Sequence, residues 1–334
     1  MTTIRDIAKA SGFSIATVSR VLNGSDKVTE ETRNKILRVI KEMEYRRSES
    51  IKGSLFRAVG VLVPDLKADY YGMIAEGIEE ALLRNNYEMF LSTYRHSLNK
   101  EKQALEEFFA RKVDGVILCT TYDDEECLEK FLEAGIPIVA IDRENSDLKI
   151  DIVTIDNYSA SFEVVKYLYK MGHRKILYVQ GLMEVYSARE RKKAFEDFSI
   201  KNKDLEVTFV SAGFDPEEGY NAVKKHLDTY GKTFTAIAFS NDWVALSGIK
   251  AMKEKGIDYP NDVSIIGFDD ATFAKYLHPS LTTVRQPTYE MGLNAAKLLI
   301  EKLERKRESR VKRRMILPTE LIIRDSVKDI NPVF

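Results

Sequence analysis

Residues 3–23 read TIRDIAKASGFSIATVSRVLN. Thr3 and Asp6, three positions apart, form a helix-start signal, and Ile4, Ile7 and Ala8 then share one helical face. Gly12 and Phe13 break that helix. Ser14 caps a second one, in which Val18, Val21 and Leu22 again share a face. Two short amphipathic helices across a glycine turn predict a helix-turn-helix. A third helix is expected after it, capped by Thr29, with Glu30 and Glu31 in its first turn and Ile36, Ile40 and Met43 as its buried stripe. Three helices can also pack together with no DNA partner. The second helix favours DNA, because short side chains (Ile15, Ala16, Thr17) lead it and Arg20 follows one turn on. Ile15 and Ala16 suit thymine methyls, and Arg20 suits a guanine. Ser14, Thr17, Ser19, Asn23, Thr29 and Thr32 are short polar groups suited to phosphates.

The chain has 334 residues, 44% of them hydrophobic, enough for more than one core. Residues 1–58 carry 12 Lys and Arg against 7 Asp and Glu, whereas the rest carry 39 against 45. A basic end and an acidic remainder point to nucleic acid at the first only. The two cysteines, Cys119 and Cys127, define neither a disulfide framework nor a metal site, which suits a reducing cytosol. No secretory leader or membrane-length apolar run is read, so a cytoplasmic protein is expected.

From residue 58 the pattern is strand then helix, repeated. Apolar β-rich runs occur at 59–63, 87–91, 113–118, 136–141, 176–179, 236–239, 263–266 and 282–284. Helical periodicity fills most gaps, as at Ile74, Ile78 and Leu82. Such alternation predicts parallel sheets covered on both faces, and so many strands predict two doubly wound lobes. The charge run at 305–314 is read as a solvated connection before a strand-like stretch at 315–323.

Ligands of parallel α/β sheets bind beyond the carboxyl ends of strands and in clefts between lobes. Asp65, Tyr70 and Tyr71 follow the first run, and Asp142 and Arg143 follow the fourth. Later strand ends offer Arg189 and Arg191, then Asn241, Asp269 and Gln286. Carboxylates, guanidinium and amides with aromatic rings between them suit a polyhydroxylated ligand. Catalysis is not indicated. The chain lacks a Gly-x-Ser-x-Gly elbow, a phosphate-binding Gly-x-x-x-x-Gly-Lys loop and a His-Glu-x-x-His motif. His96, His173, His226 and His278 are scattered without metal-ligand spacing, so no metal or other cofactor is expected.

TIRDIAKASGFSIATVSRVLNG followed by VTEETRNKI closely resembles the DNA-binding domain of the lactose/galactose-repressor family. FSNDWVAL, VSIIGFDD, LTTVRQP and LPTELIIRDS resemble that family's later signatures, so the resemblance covers nearly the whole chain. It implies a three-helix DNA-binding domain at 1–46 and a hinge at 47–57. The remainder, 58–334, would be a type I periplasmic-binding-protein-like effector and dimerisation domain. Lobe one would take about 58–156 plus 287–316, and lobe two about 157–286 plus 317–334. Family members form a hinge helix that wedges a leucine into the minor groove, here best matched by Leu55. Gly53 and a shortened spacer equally suit a flexible tether. The appended helix that makes some members tetramers is missing, so a homodimer on a near-palindromic operator is expected. The effector contacts implied are Tyr70, Tyr71, Asp142, Arg143, Arg191, Phe214, Asn241, Asp269 and Gln286. Asp142–Arg143 resembles the hydroxyl clamp of ribose-binding proteins, which points to a neutral monosaccharide and to a pentose such as ribose over a hexose. The expected function is a sequence-specific regulator, a repressor of sugar-utilisation genes. A purine or a partner protein as the sensed signal is the alternative, with a solute-binding receptor behind it.

Overall fold

The computed structural model describes residues 4–22, 28–42, 57–119, 125–143, 148, 150–304 and 312–332. The chain divides into two compact units, Met1–Phe56 and Arg57–Phe334.

In the first unit, α1 (Ile4–Ser11), α2 (Ile15–Leu22) and α3 (Glu30–Glu42) share one small core. Ile7, Ala8, Val18, Val21 and Ile36 are buried in it, with Phe13, Val28 and Val39 packed alongside. Gly12 takes the left-handed conformation (φ 74°) that turns the chain out of α1. The Ser14 hydroxyl accepts the Thr17 N–H at 3.1 Å, and the Thr29 hydroxyl accepts that of Thr32 at 3.4 Å. Both starts are therefore capped by the side chains read as caps. The expected contributions of Thr3 and Met43, and the Leu22 and Ile40 side chains, lie outside the described residues.

The second unit is built of strands β1 (Ala58–Val63), β2 (Glu88–Thr93), β3 (Gly115–Leu118), β4 (Ile138–Ile141), β5 (Asp151–Ile155), β6 (Lys175–Gln180), β7 (Glu206–Ser211), β8 (Ala236–Phe239), β9 (Ser264–Ile266), β10 (Thr283–Arg285), β11 (Arg314–Leu317) and β12 (Glu320–Ile322). Among the described residues they form a parallel sheet ordered β11-β5-β4-β3-β1-β2, another ordered β7-β6-β8-β9, and an antiparallel pair β10-β12. β1, β3, β4, β5 and β8 are buried at every position, as strands covered on both faces must be. The helices between them are α4 (Asp69–Arg84), α5 (Leu98–Arg111), α6 (Glu125–Glu133), α7 (Asn157–Lys170), α8 (Tyr186–Lys201), α9 (Pro216–Tyr230), α10 (Asp242–Lys253) and α11 (Thr288–Glu304).

The chain leaves the larger sheet after β5 and returns through α11 and β11, making two lobes. The return depends on two glycines. A Cβ on Gly292 of α11 would lie 2.0 Å from the Ile74 carbonyl oxygen of α4, and one on Gly77 of α4 would lie 2.1 Å from the Tyr289 oxygen of α11. At these two positions no Cβ fits, so the backbones of α4 and α11 approach each other directly there.

Two strands were not among the apolar runs. β5 buries Asp151 and Thr154, and Asp151 is neutralised by Lys302 at 3.0 Å and Arg313 at 2.9 Å. β7 is an edge strand whose four middle residues are half-buried and whose end residues, Glu206 and Ser211, are exposed. The stretch expected as one strand at 315–323 is two strands in different sheets, with Pro318 between them removing a ladder donor.

Candidate functional site

The first unit presents the leading end of α2. Ser14, Ile15, Ala16 and Arg20 are exposed, and Thr17 and Ser19 are half-buried. Ile15 stands out, a large aliphatic side chain 48% exposed at the start of a helix whose Val18 and Val21 are buried. Thr29 is exposed and Thr32 half-buried at the start of α3. The positive end of a helix carrying short side chains and one guanidinium can enter a groove and approach phosphate. Asn23 and Leu55, with the expected hinge helix, lie outside the described residues.

The second unit contains a cavity of about 720 Å3 between its lobes. Tyr70, Tyr71, Asp142, Arg191, Phe214, Asn241, Asp269 and Gln286 all line it. Arg143 does not: it is buried beside Asp142 but outside the lining. Asn241 does double duty. Its Oδ1 accepts the Val244 N–H at 2.7 Å and so caps α10, and its Nδ2 donates to the Phe214 carbonyl at 3.3 Å.

Asp142 sits at the end of β4 in a left-handed conformation (φ 54°), and Asp269 after β9 is at φ 117°. Unfavourable backbone at two non-glycine residues aims both carboxylates into one cleft. Thr154 Oγ1 and Asn157 Nδ2 donate to Asp142 Oδ1 at 3.0 and 2.9 Å. The Asn157 Oδ1 in turn accepts Arg191 Nε at 2.8 Å, and Arg191 Nη1 donates to the Ser240 carbonyl at 3.0 Å. The same guanidinium lies 3.6 Å over the Phe268 ring. An Asp–Asn–Arg relay thus holds Asp142 and Arg191 in fixed relation across the lobes. Gln286 Nε2 donates to Asp269 Oδ1 at 2.7 Å, while its buried Oε1 has no partner among the described residues. Burial pushes the Asp269 carboxyl up to about 7. Burial likewise raises the Tyr70 and Tyr71 phenols, which stay neutral donors. The two rings meet edge to face at 4.9 Å. The Phe214 ring lies against Gly181, where a Cβ would come within 2.5 Å of it.

Several residues of the site were not among those expected. Asp69, opening α4 on one lobe, accepts Trp243 Nε1–H at 3.2 Å and the Thr272 N–H at 2.7 Å from the other. Lys67 reaches Asp215 across the mouth at 3.4 Å. These bonds hold the cleft closed. His96 pairs with Asp65 at 3.0 Å on the wall, and that hydrogen bond holds the Asp65 carboxyl below its usual range. Asn157 follows β5, so reading that strand would have exposed it by the strand-end rule. Asp69 and Trp243 carried no such signal, because each is the first residue of one helix or next to it. Asp242, Asp270, Ser240 and Arg189 bond to their own lobe. Asp242, for example, accepts Thr283 Oγ1 and the Ala271 N–H, each at 2.7 Å. Among the described residues no group of His, Cys, Asp or Glu could hold a metal ion, and no helix is long and apolar enough to cross a membrane.

A helix-turn-helix together with a two-lobed cleft defines a DNA-binding transcriptional regulator. Residues 3–48 match the bacterial regulatory proteins of the lacI family, and 165–327 match a periplasmic binding protein-like domain. The chain is 33% identical over 339 residues to the HTH-type transcriptional repressor PurR of Haemophilus influenzae, covering 99% of this chain and 100% of that one. It belongs to the lacI family. Among solved structures it is similar to a complex of the transcriptional regulator CelR with cellobiose (TM-score 0.72, 27% identity, 98% of this chain and 100% of that). It is also similar to a LacI family regulator from Enterococcus faecium with bound ribose (TM-score 0.75, 25% identity, 82% and 100%).

Proposed function

We propose that this regulator is a repressor of sugar-utilisation genes that acts as a homodimer on a near-palindromic operator and is controlled by a neutral sugar bound between its lobes. Lobe one then comprises about 58–156 plus 287–316, and lobe two the rest from 157. The observation that carries the sugar reading is the meeting of both kinds of hydrogen-bonding group in one cleft. Asp142 and Asp269 offer acceptors to a ligand, and the Arg191 N–H groups not bonded to Asn157 and Ser240, with the Tyr70 and Tyr71 hydroxyls, offer donors. A polyhydroxylated ligand, whose hydroxyls both donate and accept, suits both. Tyr70, Tyr71 and Phe214 supply faces for the C–H surface of a ring such as ribose.

A purine is the second reading, because the same three aromatic rings could stack a flat base. A thermal-shift screen of pentoses, hexoses and purines separates the two. The sugar reading expects a neutral sugar to raise Tm, by about 2.7 kcal/mol of stabilisation at a hundredfold excess over Kd. A purine response with no sugar response would replace it and leave the DNA-binding assignment intact.

A further inference from the structure

Arg57 is the first residue of the second unit, so the covalent path from the helix-turn-helix enters the effector unit through it. Its main chain belongs to the larger sheet: the Arg57 carbonyl accepts the Glu88 N–H at 2.7 Å and continues the β1–β2 ladder. Its side chain does more. The guanidinium lies 4.1 Å from the centre of the Tyr87 ring, a ring only 2% exposed. Nη2 donates to the Tyr87 hydroxyl at 2.6 Å, and Nη1 donates to the Asn85 carbonyl at 3.4 Å. Glu304 Oε1 approaches Nη2 at 4.0 Å.

These partners stand at the far ends of two helices that begin at the cleft. Asn85 is the C-cap of α4, whose first turn carries the clasp residue Asp69 and the cavity-lining Tyr70 and Tyr71. Glu304 is the last residue of α11, which starts just after the cavity-lining Gln286. At about 1.5 Å per residue the two helices are about 24 and 26 Å long. They cross at Gly77 and Gly292, where a Cβ would lie 2.1 and 2.0 Å from a carbonyl oxygen of the other helix. Contact that close leaves no side chains there to absorb a displacement, so the pair moves as one body. Arg57 touches the far end of both members.

We propose that Arg57 is the positioning residue that couples the cleft to the DNA-binding unit. α4 and α11 carry a change at the cleft to their far ends, and the guanidinium holding both passes it to the chain that enters there. This rests on the reading that a ligand between the lobes controls DNA binding. The main-chain bonds of Arg57 suffice to fix the start of β1, and the side chain adds the link to the helices.

Arg57→Met tests it, because it keeps an apolar stem over Tyr87 and removes the guanidinium. The probe DNA is the duplex that the parent enriches from a random pool, and the probe sugar is the tightest binder among ribose, xylose, glucose and cellobiose. Anisotropy on the full chain gives operator affinity with and without saturating sugar. The two affinities should differ by about fivefold or more in the parent and by less than about twofold in Arg57→Met. By reciprocity, the duplex should shift the parent's sugar affinity by the same factor and leave the variant's unmoved, which loss of a mere stabilising anchor would not produce. Without DNA, calorimetric sugar affinity should stay within about twofold of the parent, since the substitution lies a helix length from the cleft. Arg57→Lys keeps a cation near Glu304 but cannot hold Asn85 and Tyr87 together, so its response to sugar should fall between, and it serves if the methionine variant does not fold. Variants with a lower Tm but the parent's full response would overturn the role of Arg57 and leave the reading of the cleft standing. Variants that lose sugar binding itself would overturn that role too. A parent whose operator affinity none of these sugars changes would overturn both.

Discussion

Replacing Asp69 with alanine should open the cleft without disturbing either lobe. The Asp69 carboxylate belongs to α4 of one lobe, and both of its donors, Trp243 Nε1–H and Thr272 N–H, belong to the other. Hydrogen bonds to a charged acceptor contribute about 1.5–3 kcal/mol each when buried, and the half-exposure of Asp69 lowers the pair to about 2 kcal/mol in total. Both bonds exist only in the closed arrangement, so their loss acts on the closing equilibrium. Effector affinity should therefore fall by up to roughly thirtyfold. Asp69→Asn, which keeps one acceptor oxygen, should fall between. Calorimetry with the tightest-binding sugar measures the affinity. Trp243 reports the motion directly, because it is the chain's single tryptophan and packs edge to face on Phe273 at 4.8 Å. In Asp69→Ala its emission should shift to the red, and saturating sugar should reverse the shift. Sugar affinity within about twofold of the parent, with unchanged emission, would refute the clasp.

Arg20→Ala should cost about 1–3 kcal/mol of operator affinity and relax preference at one base pair per half-site, as anisotropy titrations on a set of substituted duplexes would show. Burial holds the empty-cleft Asp269 carboxyl at about 7 rather than 3.8, so its contribution to stability is full below about pH 4 and is lost as pH rises through 7, at most about 4 kcal/mol. Sugar hydroxyls favour the carboxylate, so sugar affinity should rise by up to about tenfold per pH unit towards 7 and then level. Asp269→Asn should flatten that profile, and a flat profile in the parent would contradict the assignment. Gly292→Ala places a Cβ 2.0 Å from the Ile74 carbonyl, so it should destabilise the effector unit by about 3 kcal/mol and lower Tm by several degrees in calorimetry.

The helix-turn-helix was legible because caps, period and turn all lie within twenty-odd residues. Ser14 and Thr29 each make a local cap bond that tertiary contacts do not override. The central strands were legible as apolar runs, since β1, β3 and β4 are buried on both faces. β5 escaped because Asp151 and Thr154 interrupt its apolar pattern, and their partners Arg313 and Asp142 are far off in sequence or belong to the cleft. Strand ends located most of the cleft, since the carboxyl edge of a parallel sheet is where side chains and loops converge. The same rule says nothing of direction, and Arg143 turned away where Asp142 turned in. The Asp69–Trp243 clasp joins two helix starts 174 residues apart and exists only once the lobes meet. No local pattern encodes it.

The central claim is that a sugar in the cleft alters how the helix-turn-helix engages DNA, and it is tested most directly on the full chain with DNA of its own choosing. Duplexes retained by the protein are selected from a random pool, and the affinity for the enriched site is measured by anisotropy with and without saturating sugar. The account predicts enrichment of a two-fold symmetric sequence and a change in affinity of about fivefold or more on adding sugar. An asymmetric or unenriched pool, or the same affinity with the cleft filled and empty, would contradict it.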